Sequence, residues 1–210
     1  MVELLIQESQ KIGINLTNSQ ANTFLQYAKN LKHWNKKINL TRITDDQSIV
    51  IKHFLDSMSV STLLSSSSNY SVLDVGTGAG FPGIPLGLIL PNSNFTLLDS
   101  SRKRVNFLKY IITVLNLNNT KIHHGRIEDL KIEKEKYDIV VSRAFTEIGN
   151  YIHLTKSLIK KNGIIIAMKG KKVHEEINKI KFPDDMKYKV TEYNLPIIKQ
   201  KRYLVCFEYI

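Results

Sequence analysis

Val72-Leu73-Asp74-Val75-Gly76-Thr77-Gly78-Ala79-Gly80-Phe81-Pro82-Gly83 is the stretch on which the reading of the whole chain turns. An apolar strand runs into a glycine-rich turn that opens a helix, an arrangement that presents bare backbone N–H groups to a ligand. Gly78, Gly80 and Gly83 satisfy G-x-G-x-x-G, so a dinucleotide-binding oxidoreductase of the NAD type is one reading. Two features favour another. The strand ends at Gly76, ahead of that pattern, and an acid, Asp74, lies inside its last turn. A pyrophosphate is repelled by such a carboxylate, whereas the ammonium and sulfonium of S-adenosylmethionine are attracted to it, directly or through water.

Downstream of the turn, strand-like and helix-like segments alternate. Strands are expected at 71–75, 95–98, 121–124, 138–142 and 163–168, and helices at 83–90, 102–115 and 147–160. Two late strand-like runs, 188–193 and 203–209, close the chain. Strands separated by helices imply an α/β, Rossmann-like sheet, mostly parallel and covered on both faces, with an antiparallel edge from the closing pair. Upstream, residues 1–64 read as helical. A first helix runs to Gly13, and a second opens at Thr17, whose capping box is completed by Gln20 and whose apolar stripe is Phe24, Tyr27, Ala28, Leu31 and Trp34. A third follows Asp45-Asp46 and carries Ile49, Val50, Phe54, Met58 and Leu64, with His53 and Asp56 spaced for a local hydrogen bond. The polar tract Ser65-Ser66-Ser67-Ser68-Asn69 separates this helical unit, 1–64, from a ligand-binding domain, 70–210.

Each strand end offers candidate chemistry. Asp99, nineteen positions after Gly80, suits a ribose diol. In Gly125-Arg126-Ile127-Glu128-Asp129, Ile127 offers an adenine face an apolar neighbour, with polar groups such as Glu128 for its edge. Ser142-Arg143-Ala144-Phe145 stands where enzymes that methylate exocyclic amines carry an Asn or Asp followed by two prolines. Guanine N7 has a free lone pair and no proton to lose, so alignment alone suffices there and no catalytic base is expected. Cys206, in the apolar run Tyr203 to Phe207, reads as a core thiol rather than a nucleophile. His123 and His124 have no acid or cysteine at ligand spacing, and no metal is expected.

With 210 residues the chain has room for one main domain plus an appendage. Thirty Lys and Arg against 19 Asp and Glu leave a net charge of +11, which points to a polyanionic partner. No apolar run approaches the ~18 residues of a membrane span. Nucleic acid is therefore preferred over a membrane. Basic residues gather at Arg102-Lys103-Arg104, at Lys169 with Lys171-Lys172, and at Lys199 with Lys201-Arg202. Arg102 and Lys169 each follow a strand's C-terminal end, where substrate phosphates are expected. A single cysteine and an acidic rather than basic N-terminus fit a cytoplasmic protein without a secretory signal.

Taken together, Lys37-Ile38-Asn39-Leu40-Thr41, His53-Phe54-Leu55-Asp56-Ser57, the turn from Asp74 to Pro85, Leu98-Asp99-Ser100 with Lys103-Arg104, Ser142-Arg143-Ala144-Phe145, Lys169-Gly170 and Arg202-Tyr203-Leu204 resemble the bacterial RsmG (GidB) family. Its members are 16S ribosomal RNA guanine-N7 methyltransferases. The resemblance spans nearly the whole chain. It implies a class I methyltransferase that uses S-adenosylmethionine and acts on 16S rRNA or the small ribosomal subunit, at a guanine of the guanine-527 type near the decoding site. Cofactor contacts would fall on Gly76, Phe81, Ile127, Glu128 and Arg143, joined by Asp74, Gly78 and Asp99 from the reading above, with Arg102, Lys169 and Arg202 toward RNA. The chain ends Phe207-Glu208-Tyr209-Ile210 instead of the basic tail common in that family, which leaves the tail outside the expected RNA contacts. A methyltransferase for a small molecule or protein would explain the glycine turn without using the charge.

Overall fold

The computed structural model describes residues 1–65, 68–130 and 136–209. Part of the Ser65–Asn69 tract, and Ile210, lie outside them. Helices α1 (Val2–Lys11) and α2 (Asn18–Ile38) lead, and the capping box at Thr17 and Gln20 is formed. The expected third helix is a composite. It opens as α3 (Asp46–Ile49), widens into a π-helical turn (Val50–Leu55), resumes as α4 (Asp56–Met58) and tightens into a 3₁₀ stretch (Ser59–Leu63), so Leu64 lies past its end.

The remaining chain forms β1 (Ser71–Val75), α5 (Gly83–Ile89), β2 (Asn94–Asp99), α6 (Arg102–Val114), β3 (Thr120–His124), β4 (Tyr137–Arg143), α7 (Ile148–Thr155), β5 (Ile159–Lys169), α8 (Val173–Ile177), β6 (Met186–Leu195) and β7 (Gln200–Tyr209). The seven strands lie in the order β3-β2-β1-β4-β5-β7-β6. Pairs among β1 to β5 are parallel, whereas β7 pairs antiparallel with both β5 and β6. The reversal is thus carried by β7, one place in from the edge, and β6 runs in the direction of β1–β5. The chain winds outward in opposite directions from β1 and β4, so the crevice beyond their carboxyl ends is where such a sheet takes a ligand.

Helix α7 is shorter than its apolar pattern suggests, and β5 longer. Leu158 and Ile159 leave the helix because Tyr137 claims them: its N–H donates to the Leu158 carbonyl at 2.8 Å, and Tyr137 pairs with Ile159 across the sheet. Five-residue α8 lies beyond the elements that the sequence pattern predicts.

Packing joins the helical segment to the sheet directly. Phe24, Tyr27, Leu31 and Phe54 share one buried cluster with Ile84, Leu97, Phe107 and Ile111 of the sheet's helices and strands. Trp34 of α2 packs against Phe107 of α6, ring centres 5.7 Å apart. Residues 1–64 therefore bury their apolar stripe against α5 and α6, and one core spans both sides of the serine tract. Among the described residues, no helix is long and apolar enough to cross a membrane.

Candidate cofactor and substrate site

The glycine turn is held from behind by Asp74. This carboxylate is fully buried, and its Oδ2 accepts from Thr77 Oγ1 at 2.6 Å and from the N–H of Gly83, the first residue of α5, at 2.8 Å. Its Oδ1 has no hydrogen-bond partner among the described residues. Burial pushes the group up to about 7, against the pull of the Thr77 and Gly83 bonds. Asp74 therefore stands behind the turn. Gly83 has to be glycine for space: a Cβ there would collide with Leu97 Cδ2 and lie 2.8 Å from Asp74 Oδ2.

In front of the turn, a cavity of about 410 Å³ opens at the ends of the first four strands. It is lined by Gly76, Leu98, Asp99, Ser100, Arg104, Gly125, Arg126, Ile127, Glu128, Ala144 and Phe145, with Val75 beneath. Asp99 is 3% exposed. Its Oδ2 accepts from the Gly78 N–H at 2.9 Å and its Oδ1 from the Ser101 N–H at 2.8 Å, so the acid on β2 ties the glycine turn to the start of α6. Arg104 approaches Asp99 Oδ2 at 3.5 Å. Gly76 adopts φ +66°, and a Cβ would lie 2.7 Å from the Phe145 ring, so backbone and aromatic meet with no side chain between them. Of the eight residues expected to hold the cofactor, Gly76, Asp99, Ile127 and Glu128 line this cavity together. Gly78 shapes it through Asp99, while Asp74, Phe81 and Arg143 lie behind the wall.

Phe81 and Arg143 belong to a polar knot that composition and spacing do not reveal. Asp56, 1% exposed, accepts from Arg202 Nε at 3.0 Å and NH2 at 2.9 Å in a two-pronged pair, and from the Tyr193 hydroxyl at 2.6 Å. Arg143 approaches the Oδ2 of Asp56 at 3.5 Å, donates to the Lys52 carbonyl at 3.0 Å, and lays its guanidinium carbon 4.9 Å from the Phe81 ring centre. His53 stacks on that ring, centres 4.4 Å apart at 17°. The expected His53–Asp56 bond is replaced by longer-range partners, because both side chains turn toward the strand ends. A buried acid on the apolar stripe of a helix was the one available signal, since an unpaired carboxylate is intolerable there. Ile43, Lys52, His53, Asp56, Arg143, Ala144, Leu195, Gln200 and Arg202 together line a second cavity of about 350 Å³. Ala144, held at φ +57°, lines both cavities and forms the partition between them.

His53 is neutral in this setting. Its Nδ1 lies 3.1 Å from the Arg143 NH2 donor and must accept, which leaves Nε2–H to donate to Thr41 Oγ1 at 2.8 Å. Burial, reinforced by the Arg143 charge, pushes the imidazole down to about 3. The unfolded chain then binds one more proton than the folded protein between about pH 6.5 and pH 3. The contribution of His53 is complete above that window and is lost as pH falls through it. Chemical-denaturation curves across pH 3–7 should show this slope in the native protein and less of it in His53→Asn; identical slopes would refute the assignment.

The RNA-facing expectations separate. Arg102 is exposed at the first turn of α6 beside Lys103 and Arg104, three cations at a helix end that favours anions. Lys169 is engaged internally, by the Thr146 carbonyl at 2.8 Å and Glu176 Oε2 at 2.7 Å. Arg202 is anchored on Asp56. Cys206 is 9% exposed inside β7, and burial pushes its thiol up to about 11, the opposite of what a nucleophile requires.

Residues 20–205 match the GidB family model, described as rRNA small subunit methyltransferase G. Acetivibrio thermocellus has a ribosomal RNA small subunit methyltransferase G that is 38% identical over 97% of this chain and 86% of its own length. The chain belongs to that family. A Clostridium kluyveri member is 42% identical over 85% of this chain and 77% of its own. The fold agrees with a solved structure: a SAM dependent methyltransferase from Aquifex aeolicus superposes with TM-score 0.60 at 16% identity, over 78% of this chain and 94% of that one. Family membership sets aside the oxidoreductase reading, which the glycine spacing alone left open.

Proposed function

We propose that this protein transfers the methyl group of S-adenosylmethionine to N7 of a guanine in 16S rRNA, of the guanine-527 type. The observation that carries the reading is the pair of cavities sharing Ala144, one floored by the glycine turn and Asp99, the other walled by Lys52, Arg143 and Arg202. The residues present fit the cofactor. Asp99 offers a buried carboxylate for a ribose diol, Ile127 an apolar neighbour for adenine, Glu128 a polar edge, and Gly76 bare backbone. When bound, S-adenosylmethionine supplies an electrophilic methyl group on a sulfonium.

The chain's own part is positioning. The N7 lone pair attacks without surrendering a proton, so no side chain need act as base. Asp56 holds Arg143 and Arg202 at the wall of the second cavity, and Arg143 braces Phe81 behind the glycine turn. Exposed Arg102, Lys103 and Arg104 offer charge to phosphates at the same sheet edge. Arg102→Ala is expected to weaken RNA binding without sequence preference and to lower the log K against log salt slope by about 1. An unchanged slope would move the RNA track elsewhere.

The decisive experiment is transfer of radiolabelled methyl from S-adenosylmethionine to small subunits lacking the modification, with N7-selective cleavage to map it. One labelled guanine establishes reaction and substrate. Absence of label on both particles and naked rRNA, with cofactor binding intact, would defeat the substrate assignment.

A further inference from the structure

The hairpin formed by β6 and β7 ends in Pro196-Ile197-Ile198-Lys199, beyond the last cross-strand pair, Leu195 with Gln200. Across the sheet, Lys169 at the end of β5 pairs with Tyr203, and Tyr203 with Glu192. Because β6 runs the same way as the parallel strands, Leu195 lies three residues further out along the site edge. At a rise of ~3.4 Å per residue the hairpin projects roughly 10 Å past β5 before its tip begins. Leu195 and Gln200 line the second cavity, so the tip stands at that cavity's rim.

The tip is unusual in two respects. Ile197 and Ile198 are 46% and 40% exposed, adjacent apolar side chains where burial is the norm. Ile197 is also held at φ +66°, a region that β-branched residues avoid, and Lys199 follows at φ +48°. The Ile198 N–H donates to the Pro196 carbonyl at 2.7 Å and fixes this tight turn. Gly would adopt that backbone most readily, and Asn tolerates a positive φ better than a β-branched residue does. Strain and exposure coincide at one point, next to a cavity walled by Lys52, Arg143 and Arg202, with Lys199 and Lys201 on either side of its lining residue Gln200 in the chain.

We infer that Ile197 and Ile198 form an apolar wedge that enters a base step of an RNA loop and unstacks it, delivering the target base to the adjoining cavity. A base that reacts in a closed site has to leave its stack, and apolar side chains inserted between bases are a recurrent means of opening one. Surrounding lysines and arginines favour a polyanion at this tip over an apolar protein surface or a membrane core. The inference rests on the proposed reading of the two cavities as an RNA-modifying site.

The test uses the full chain with Ile197→Asn combined with Ile198→Ser, and Ile198→Met as the conservative control. Asn tolerates the positive φ at 197 better than Ile does, so the thermal midpoint and the affinity for S-adenosylmethionine should hold. Expected is a fall in kcat/KM of about tenfold or more on a folded 16S rRNA fragment carrying the guanine-527 loop, with near-native rates on a short unstructured RNA of the same sequence and in Ile198→Met. With 2-aminopurine beside the target guanine, the native protein should raise fluorescence on binding and the double variant should not. Equal activity of native and double variant on folded RNA would overturn the wedge, as would equal losses on both RNAs. So would a loss confined to particles carrying ribosomal proteins, which would make the tip a protein contact. The fluorescence measurement needs no methyl transfer, so a native protein that opens the loop without methylating it would sink the functional reading and keep the wedge.

Discussion

Asp56→Ala is expected to lower the free energy of unfolding by about 3–5 kcal/mol, a large part of the ~5–15 kcal/mol that a typical domain possesses. The carboxylate is 1% exposed and answers two guanidiniums and a phenol. Its removal strands Arg202 and Arg143 at 19% and 16% side-chain exposure, where water cannot fully replace the lost partner. Burial and the Asp56 charge already hold the Tyr193 hydroxyl far above its usual ionisation, so it donates as a neutral phenol. The effect reaches function because the knot joins three distant stretches: the π-helical turn, the end of β4, and the β6–β7 hairpin. Urea unfolding of Asp56→Ala, Arg202→Met and the double variant closes a cycle in which the two changes should be strongly non-additive. Additive losses, or a cost below about 1 kcal/mol for Asp56→Ala, would show that the knot is not a unit.

The second large effect is on the cofactor. Asp99→Ala is expected to weaken S-adenosylmethionine binding about 10- to 100-fold, since hydrogen bonds to a charged acceptor contribute ~1.5–3 kcal/mol. Two losses combine. The proposed ribose acceptor disappears, and the Gly78 N–H loses its tie at 2.9 Å, which loosens the turn that floors the cavity. Asp99→Asn keeps one oxygen and should fall between the two. Titration calorimetry at fixed salt measures both, and a dissociation constant within twofold of native for Asp99→Ala would remove Asp99 from the site.

Much of the molecule was legible in local pattern. Strand β1 and the turn after it occur where Val72 to Gly83 place them, and the capping box at Thr17 forms as its spacing requires. Both features depend on contacts within a few residues, which is why spacing reveals them. Failures occur where distant residues compete. Leu158 and Ile159 suit the apolar face of α7, but Tyr137 takes them into the sheet. The third helix has the periodicity of an ordinary α-helix, yet it widens into a π turn at Lys52 and His53, and these two with Asp56 just after it meet residues 87 to 146 positions away. The serine tract marks a change of secondary structure, while the apolar stripe of α2 crosses it to join the core of the sheet.

The α/β class, the order of the strands along the chain, and the glycine turn with its following acid on β2 are readable from residue order alone, because each is written in short-range periodicity and in residues whose backbone preferences are strong. The same order carries the family, through motifs scattered along nearly the full length. Assembly of the layers is what sets Asp74 behind the turn on Thr77 and Gly83, pairs Lys169 with Glu176, and gathers Arg143, Arg202 and Tyr193 on Asp56. Those outcomes depend on which charges are buried together, and burial is a property of the assembled layers that no local window contains.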